Sequence, residues 1–207
     1  MLAALLLAVQ APPAAPSFRD RIDAMILGSG YTTEQLNSRW ANSAAAARDP
    51  DARSLFWRAY AEQWAMRADS VSRADLDRLL RSNTEWLKAV LARIGWFDIS
   101  RYGPEASQAA WLIVQHSDYE PAWQQQVLDS LAPRVARGDM QRNWYAYLVD
   151  RIAVNAGRAQ IYGTQGHCAG AGNLVLAETI DPKSLDDRRA AMGLEPLDGY
   201  RRRFCGN

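Results

Sequence analysis

The chain has 207 residues, of which 48% are apolar and 23% charged, too apolar a mixture for a disordered chain and ordinary for one that buries a core. Twenty-four Lys and Arg stand against 23 Asp and Glu, so the net charge of +1 gives no long-range field to recruit nucleic acid or an anionic membrane. Eight Trp and eight Tyr are the unusual part of the composition, because such side chains carry large apolar area with one polar atom that wants a partner.

The first residues, Met1 to Val9, form an apolar run too short to span a bilayer and suited to the hydrophobic region of a signal peptide. No Lys or Arg precedes the run, and Pro12 follows the small-residue site Val9-Gln10-Ala11. Residues 1–16 are read as signal peptide and Pro-rich linker, residues 17–95 as a helical segment and 96–207 as a core domain able to form one globular unit with it. The expected location is periplasmic or extracellular, with no integral membrane segment once the signal is removed.

A short helix is predicted from Ser17 to Leu27, stopped by Gly28-Ser29-Gly30, and Thr32-x-x-Gln35 reads as a capping box before Leu36 and Trp40. Asp49-Pro50 opens a new segment. From Ser54 to Ala68, Phe56, Tyr60 and Trp64 recur every four residues, which gives a helix an aromatic face. Ser72-x-x-Asp75 caps a long amphipathic helix carrying Leu76, Leu79, Leu80, Leu87, Val90, Leu91 and Ile94 up to Gly95. Further helices are predicted from Pro104 to His116, from Pro121 to about Arg137 and from Trp144 to Val154.

Gln160 to Gln165 alternates like a strand, with Gly163 marking a bulge or a close backbone approach. A Gly-rich loop follows, then a short strand near Asn173 to Ala177 and a last helix from about Lys183. The fold class is therefore mainly α, an N-terminal helical hairpin or bundle packed on an α-rich C-terminal domain with a small β element.

Two stretches carry a family resemblance: Gly95-Trp96 through Asp118, and Asp150-Arg-Ile-Ala-Val-Asn-Ala-Gly-Arg-Ala-Gln-Ile-Tyr-Gly-Thr-Gln165. With Ile180-Asp-Pro182, Asp187-Arg-Arg189, Gly193-Leu194, Pro196-Leu197 and Tyr200 they resemble domain of unknown function 6624, an uncharacterised bacterial family, over about residues 87–200. The resemblance implies no activity.

Polar residues beside apolar runs mark the candidate site. Gln115, His116 and Asp118 end a helix whose Ala109 to Val114 are all apolar, and Asp150-Arg151 interrupts the apolar run from Tyr145 to Val154, where an unpaired charge is costly. One reading makes His116 a general acid or base oriented by Asp118 or Asp150, with Gln115, Arg151, Gln160, Tyr162 and Gln165 binding a small polar ligand or peptide in a cleft. The alternatives are a hydrolase using His116 as general base, and a structural or interaction module in which His116 caps its helix and Asp150-Arg151 join a buried network that fixes the strand from Tyr162 to Gln165. On the first reading His116→Ala leaves stability near wild type and Asp150→Ala strands Arg151.

No phosphate loop, dinucleotide fingerprint, nucleophile elbow or His-Glu-x-x-His helix is present, so no cofactor is expected. His167-Cys168 lacks a second ligand pair, so no metal site is expected either. Cys168 and Cys205, an even count in an exported chain, are expected to pair, closing a loop whose cross-link contributes about 4 kcal/mol in the chain-entropy model. Intact-mass measurement on protein from the native host should find a mature chain beginning between Ala11 and Ser17; uncleaved chain in the cytosol would remove the export reading and with it most of the reason to expect the disulfide.

Overall fold

The computed structural model describes residues 48–206. The helices predicted before Asp49, and the signal segment, lie outside the described residues. Asp49 caps helix α1 (Pro50–Ala65) by accepting from the amides of Asp51 and Ala52, with Pro50 in the first turn, where its missing N–H costs nothing. The Ser72 hydroxyl accepts from Asp75 N–H and donates to the Asp75 carboxylate, opening α2 (Arg73–Ile94), which stops at Gly95 with φ of 83°. A single turn, α3 (Ile99–Tyr102), leads into α4 (Pro104–Gln115), α5 (Pro121–Ala136) and α6 (Arg142–Asn155).

One apolar core runs through these helices. Ala52, Leu55, Phe56 and Ala59 of α1 and Leu87 and Val90 of α2 pack with Trp96, Phe97, Ala106, Ala110, Trp111, Ile113 and Val114, and on the other side with Leu128, Leu131, Leu148 and Ile152. Tyr60 and Trp64, expected on the main packing face of α1, instead cover a smaller cluster of Ala61, Ala65 and Leu79. Ala52 and Ala59 on the main face let α1 approach α4 closely, with Leu55 and Phe56 filling the core beside them. Trp96 is buried with its indole N–H donating to Ser107 Oγ.

The β element differs from the predicted one in position. Residues 160–165 form no strand; Gln160 makes one parallel bridge to Thr179, and the hairpin pairs β1 (Gly166–Cys168), in the segment expected to be a Gly-rich loop, antiparallel with β2 (Leu174–Leu176), which falls where the short strand near Asn173 to Ala177 was expected. The alternation of 160–165 has another cause. Asp150, fully buried on α6, accepts from the N–H groups of Ile161, Tyr162 and Thr164 and from the Thr164 hydroxyl, so the chain wraps around a carboxylate. Gly163 takes φ of 64° inside this wrap, and a Cβ there would sit 3.1 Å from Leu185 Cδ2, the close approach expected of it.

The closing segment is a 3₁₀ turn (Pro182–Ser184) with two short helices, α7 (Leu185–Ala191) and α8 (Leu197–Cys205), where one helix was expected. Leu194 and Pro196 lie in the break between them, and Pro196 cannot continue a helix that enters it. Tyr200 of α8 is buried, and its hydroxyl donates to Thr164 O. The Cys168 and Cys205 sulfurs lie at bonding distance with Cα atoms 5.5 Å apart, pinning α8 to β1 as expected. Among the described residues no helix is long and apolar enough to cross a membrane.

Asp150→Ala should leave three amides and one hydroxyl inside the protein without an acceptor. The expected loss is at least about 3 kcal/mol, read as a lowered urea midpoint with faster hydrogen exchange at Ile161, Tyr162 and Thr164. An unchanged midpoint would mean that the loop holds its shape without the carboxylate.

Candidate functional site

His116 is the C-cap of α4, with φ of −90° and ψ of 1°, in the sparsely populated bridge region where many active-site residues sit. Its ring does not turn back to the helix carbonyls. Nδ1 lies 2.8 Å from Oε2 of Glu62, whose side chain is 1% exposed against 10% for the imidazole. One proton serves this contact: with Glu62 ionised the imidazole N–H donates, and with Glu62 protonated the carboxyl O–H donates to the ring nitrogen. Nε2 has no hydrogen-bond partner among the described residues and is not one of the sealed polar atoms.

Glu62 is itself held. Asn83 Nδ2 donates to its other oxygen at 2.9 Å, and the Asn83 carbonyl oxygen accepts from Arg58 at 2.7 Å. Arg58 also lies over the Trp86 ring at 4.8 Å. Burial pushes the Glu62 carboxyl above the ordinary carboxylate range, against the lowering pull of His116, Asn83 and Arg58. Beside the pair, the buried Ser117 hydroxyl donates to Ile113 O, so Thr84 must donate to Ser117 Oγ at 2.7 Å. The Tyr119 hydroxyl is sealed from solvent without a hydrogen bond, its ring stacked under the Arg81 guanidinium at 4.3 Å.

The other expected site residues are placed differently from their anticipated grouping. Asp118 does not orient His116. It is the bidentate partner of Arg151, whose Nε donates to Oδ1 at 2.9 Å while Nη2 donates to Oδ2, and Asn155 and Gln124 add hydrogen bonds. Burial pushes the Asp118 carboxyl up, but the Arg151 guanidinium and these donors together hold it below the usual carboxylate range. Arg151 is therefore not the partner of Asp150, and Asp150→Ala would not strand it. The charges of neighbouring residues 150 and 151 point to different faces of α6, one to the loop and one to the end of α4.

Gln115 is buried with its Oε1 unpartnered, inside the protein rather than at a cleft edge. Gln160 is fully buried and spends its side chain on the backbone, donating to Gln165 O and Ala177 O and accepting from Gln165 N–H. Tyr162, half-buried, has its hydroxyl held in the neutral form by burial and by the Asp150 charge. Gln165 Nε2 donates to Thr164 Oγ1. The expected convergence on one cleft resolves into two polar clusters, one around Glu62 and His116 and one around Asp150, with the Asp118–Arg151 pair tying α4 to α6. No hydrogen bond or ion pair joins His116 to the second cluster among the described residues.

Glu62 and Asn83 were not singled out in the sequence. The signal was the spacing: Glu62 continues Ala52, Leu55 and Ala59 at three- and four-residue steps along the core face of α1, and Asn83 sits between Leu79 and Leu87 on that of α2.

Comparison with protein-family models gives a match over residues 69–205 to a family described as one of unknown function (DUF6624). The match reaches further than the sequence motifs suggested, taking in all of α2 and both cysteines, while Glu62 lies just before it. No curated protein and no solved structure matches the chain.

The raised Glu62 carboxyl fixes a sign. Between its ordinary value of 4.5 and its higher folded value the native chain holds a proton that the unfolded chain has released, so this group's contribution makes stability fall as pH rises through that window. In Glu62→Gln, which keeps an acceptor but no ionisation, urea midpoints measured across the window should lose that fall. His116→Ala, contrary to its expected neutrality, should cost about 1–3 kcal/mol by leaving a buried carboxylate oxygen unpaired. Identical pH profiles in wild type and Glu62→Gln would show that the pair does not share its proton as drawn.

Proposed function

This chain belongs to DUF6624, a family whose description assigns no activity, so we propose from the site alone that it is an exported protein binding a small polar ligand or peptide through His116. The observation that carries the reading is the fixed imidazole: a buried glutamate anchors Nδ1 and leaves Nε2 free of protein partners. A ring so anchored has one orientation and one nitrogen to offer, which suits recognition of a hydroxyl, amide or carboxylate. A cysteine pair at disulfide distance is compatible with work in an oxidising compartment.

A second reading, a hydrolase with His116 as general base, draws on the same contact, because a carboxylate on Nδ1 raises the basicity of Nε2 and sets its tautomer. Ser117 would not be the nucleophile there, since its hydroxyl is fully buried and donates to Ile113 O. Water would attack instead.

Imidazole nitrogen NMR on the oxidised protein separates these readings. Titrated with free amino acids, dipeptides and dicarboxylates, at least one compound should shift Nε2 of His116 saturably and lose its affinity in His116→Ala. Turnover that disappears in His116→Gln and persists in Asp118→Asn would give the hydrolase. A silent Nε2 across the panel, with no turnover, would leave the Glu62–His116 contact as a bridge between helices.

A further inference from the structure

Residues of α5, of α6 and of the chain that follows α6 line a groove of about 330 Å³. Its walls are hydrocarbon: Leu128 from α5, Val149 and Ile152 from α6, and Ile161 and Ile180 from the wrapped loop and the segment after β2. Ile180 is 50% exposed, a large apolar side chain left partly in water at the rim.

The groove is kept open by polar groups behind its wall. Asp150 holds the amide of Ile161, and Arg188 donates to the carbonyl oxygens of Ile161, Ile180 and Asp181, so the two isoleucines that face the helices are fixed from behind. Gln160 N–H donates to Glu178 O and Ile180 N–H to Gln160 O, stapling the same two segments. A wall anchored this way does not collapse onto α5 and α6, and the apolar space stays preformed.

One charged side chain belongs to this groove. Arg158 lines it, is exposed, and has no hydrogen bond, ion pair or ring contact through its guanidinium among the described residues, whereas most arginines nearby are engaged. The other polar lining residue, Gln125, donates to Asp129 at 2.7 Å and so presents no free amide N–H in that bond. The site therefore offers an apolar slot with an exposed arginine among the residues that line it.

We propose that the groove binds a single-chain amphiphile with a carboxylate head, a short or medium fatty acid, its tail along Leu128, Val149 and Ile152 and its head on Arg158. Charge complementarity selects the head, because a guanidinium pairs a carboxylate through two parallel hydrogen bonds and neither an alcohol nor an amine can reproduce them. A groove of about 330 Å³ has room for a short alkyl tail such as that of octanoate. This site shares no residue with the Glu62–His116 cluster, so either can fail without the other.

Titration of the full oxidised chain with octanoate, 1-octanol and octylammonium, each below its aggregation threshold and followed by amide NMR shifts, tests the assignment. Octanoate should bind saturably at one site, shifting Leu128, Val149, Ile152 and Ile161, and about tenfold more tightly than octanol, with octylammonium weakest. Arg158→Glu, a change at an exposed position, should remove the preference for octanoate and leave octanol binding unchanged. Val149→Trp should fill the slot and abolish binding of all three; if it proves unfolded by circular dichroism, Val149→Phe takes its place. Equal affinity for the three head groups, octanoate binding unaffected by Arg158→Glu, or saturable binding only of an apolar peptide would overturn the proposal.

Discussion

The wrap of residues 161–164 around the Asp150 carboxylate is the constraint on which the C-terminal third of the molecule rests. The N–H groups of the loop turn inward to the acid, so its carbonyls turn outward, and two arginines take them up: Arg188 at Ile161 O, Arg189 at Tyr162 O and Gly163 O. Arg189 is fully buried and forms no ion pair among the described residues; burial lowers its pKa, and besides the carbonyls it has the Tyr200 ring at 4.9 Å. Asp150 and the buried Arg189 thus face each other across a layer of peptide groups rather than in contact, while Arg188 also reaches the Asp181 carboxylate at 3.9 Å. Peptide dipoles polarised between opposite charges strengthen each other, which is how a loop without secondary structure comes to carry α7 and α8.

A second buried carboxylate works by a different balance. Glu62 faces a histidine and an asparagine side chain instead of backbone amides, and a carboxyl taken out of water with so few donors resists ionisation. Burying such a pair gives little net stability, since desolvation offsets most of the attraction, yet breaking it exposes the remaining partner to the full penalty. A contact with those properties fixes geometry more than it adds stability. It sets the position of α1 on the end of α4 and the plane of the His116 ring together.

Much of the helical framework was legible because its signals are local. Asp49-Pro50, Ser72-x-x-Asp75, Gly95, Pro104 and Pro121 each act within one turn, and the observed helix ends fall close to them. Tertiary choices were not. Asp150 stood out as a charge in an apolar run, but nothing nearby says whether it meets its neighbour Arg151 or amides eleven to fourteen residues on, and helix geometry sends adjacent residues about 100° apart. The alternation of 160–165 was misjudged: Gln160 and Thr164 point inward to make hydrogen bonds, whereas a strand would need a partner beside it. Glu62 was hidden among the polar residues of α1, and only its register with Leu55 and Ala59 gave it away. The cysteine pairing was legible because its argument depends on count and compartment rather than on the path of the chain between them.

The link between Cys168 and Cys205 lies at the margin of the molecule. All three residues of β1 are exposed, and of α8 only Tyr200 is buried, so the cross-link joins two pieces that each have a thin hold on the core. Cooperative units in a protein open separately when few apolar contacts bind them to the rest. A tether between two such units makes them fray as one or not at all: with the sulfurs joined, α8 cannot swing out without drawing β1 off β2 and Tyr200 off Thr164. The terminal helix thereby acquires the opening cost of the whole edge, which matters most to a chain exposed to proteases.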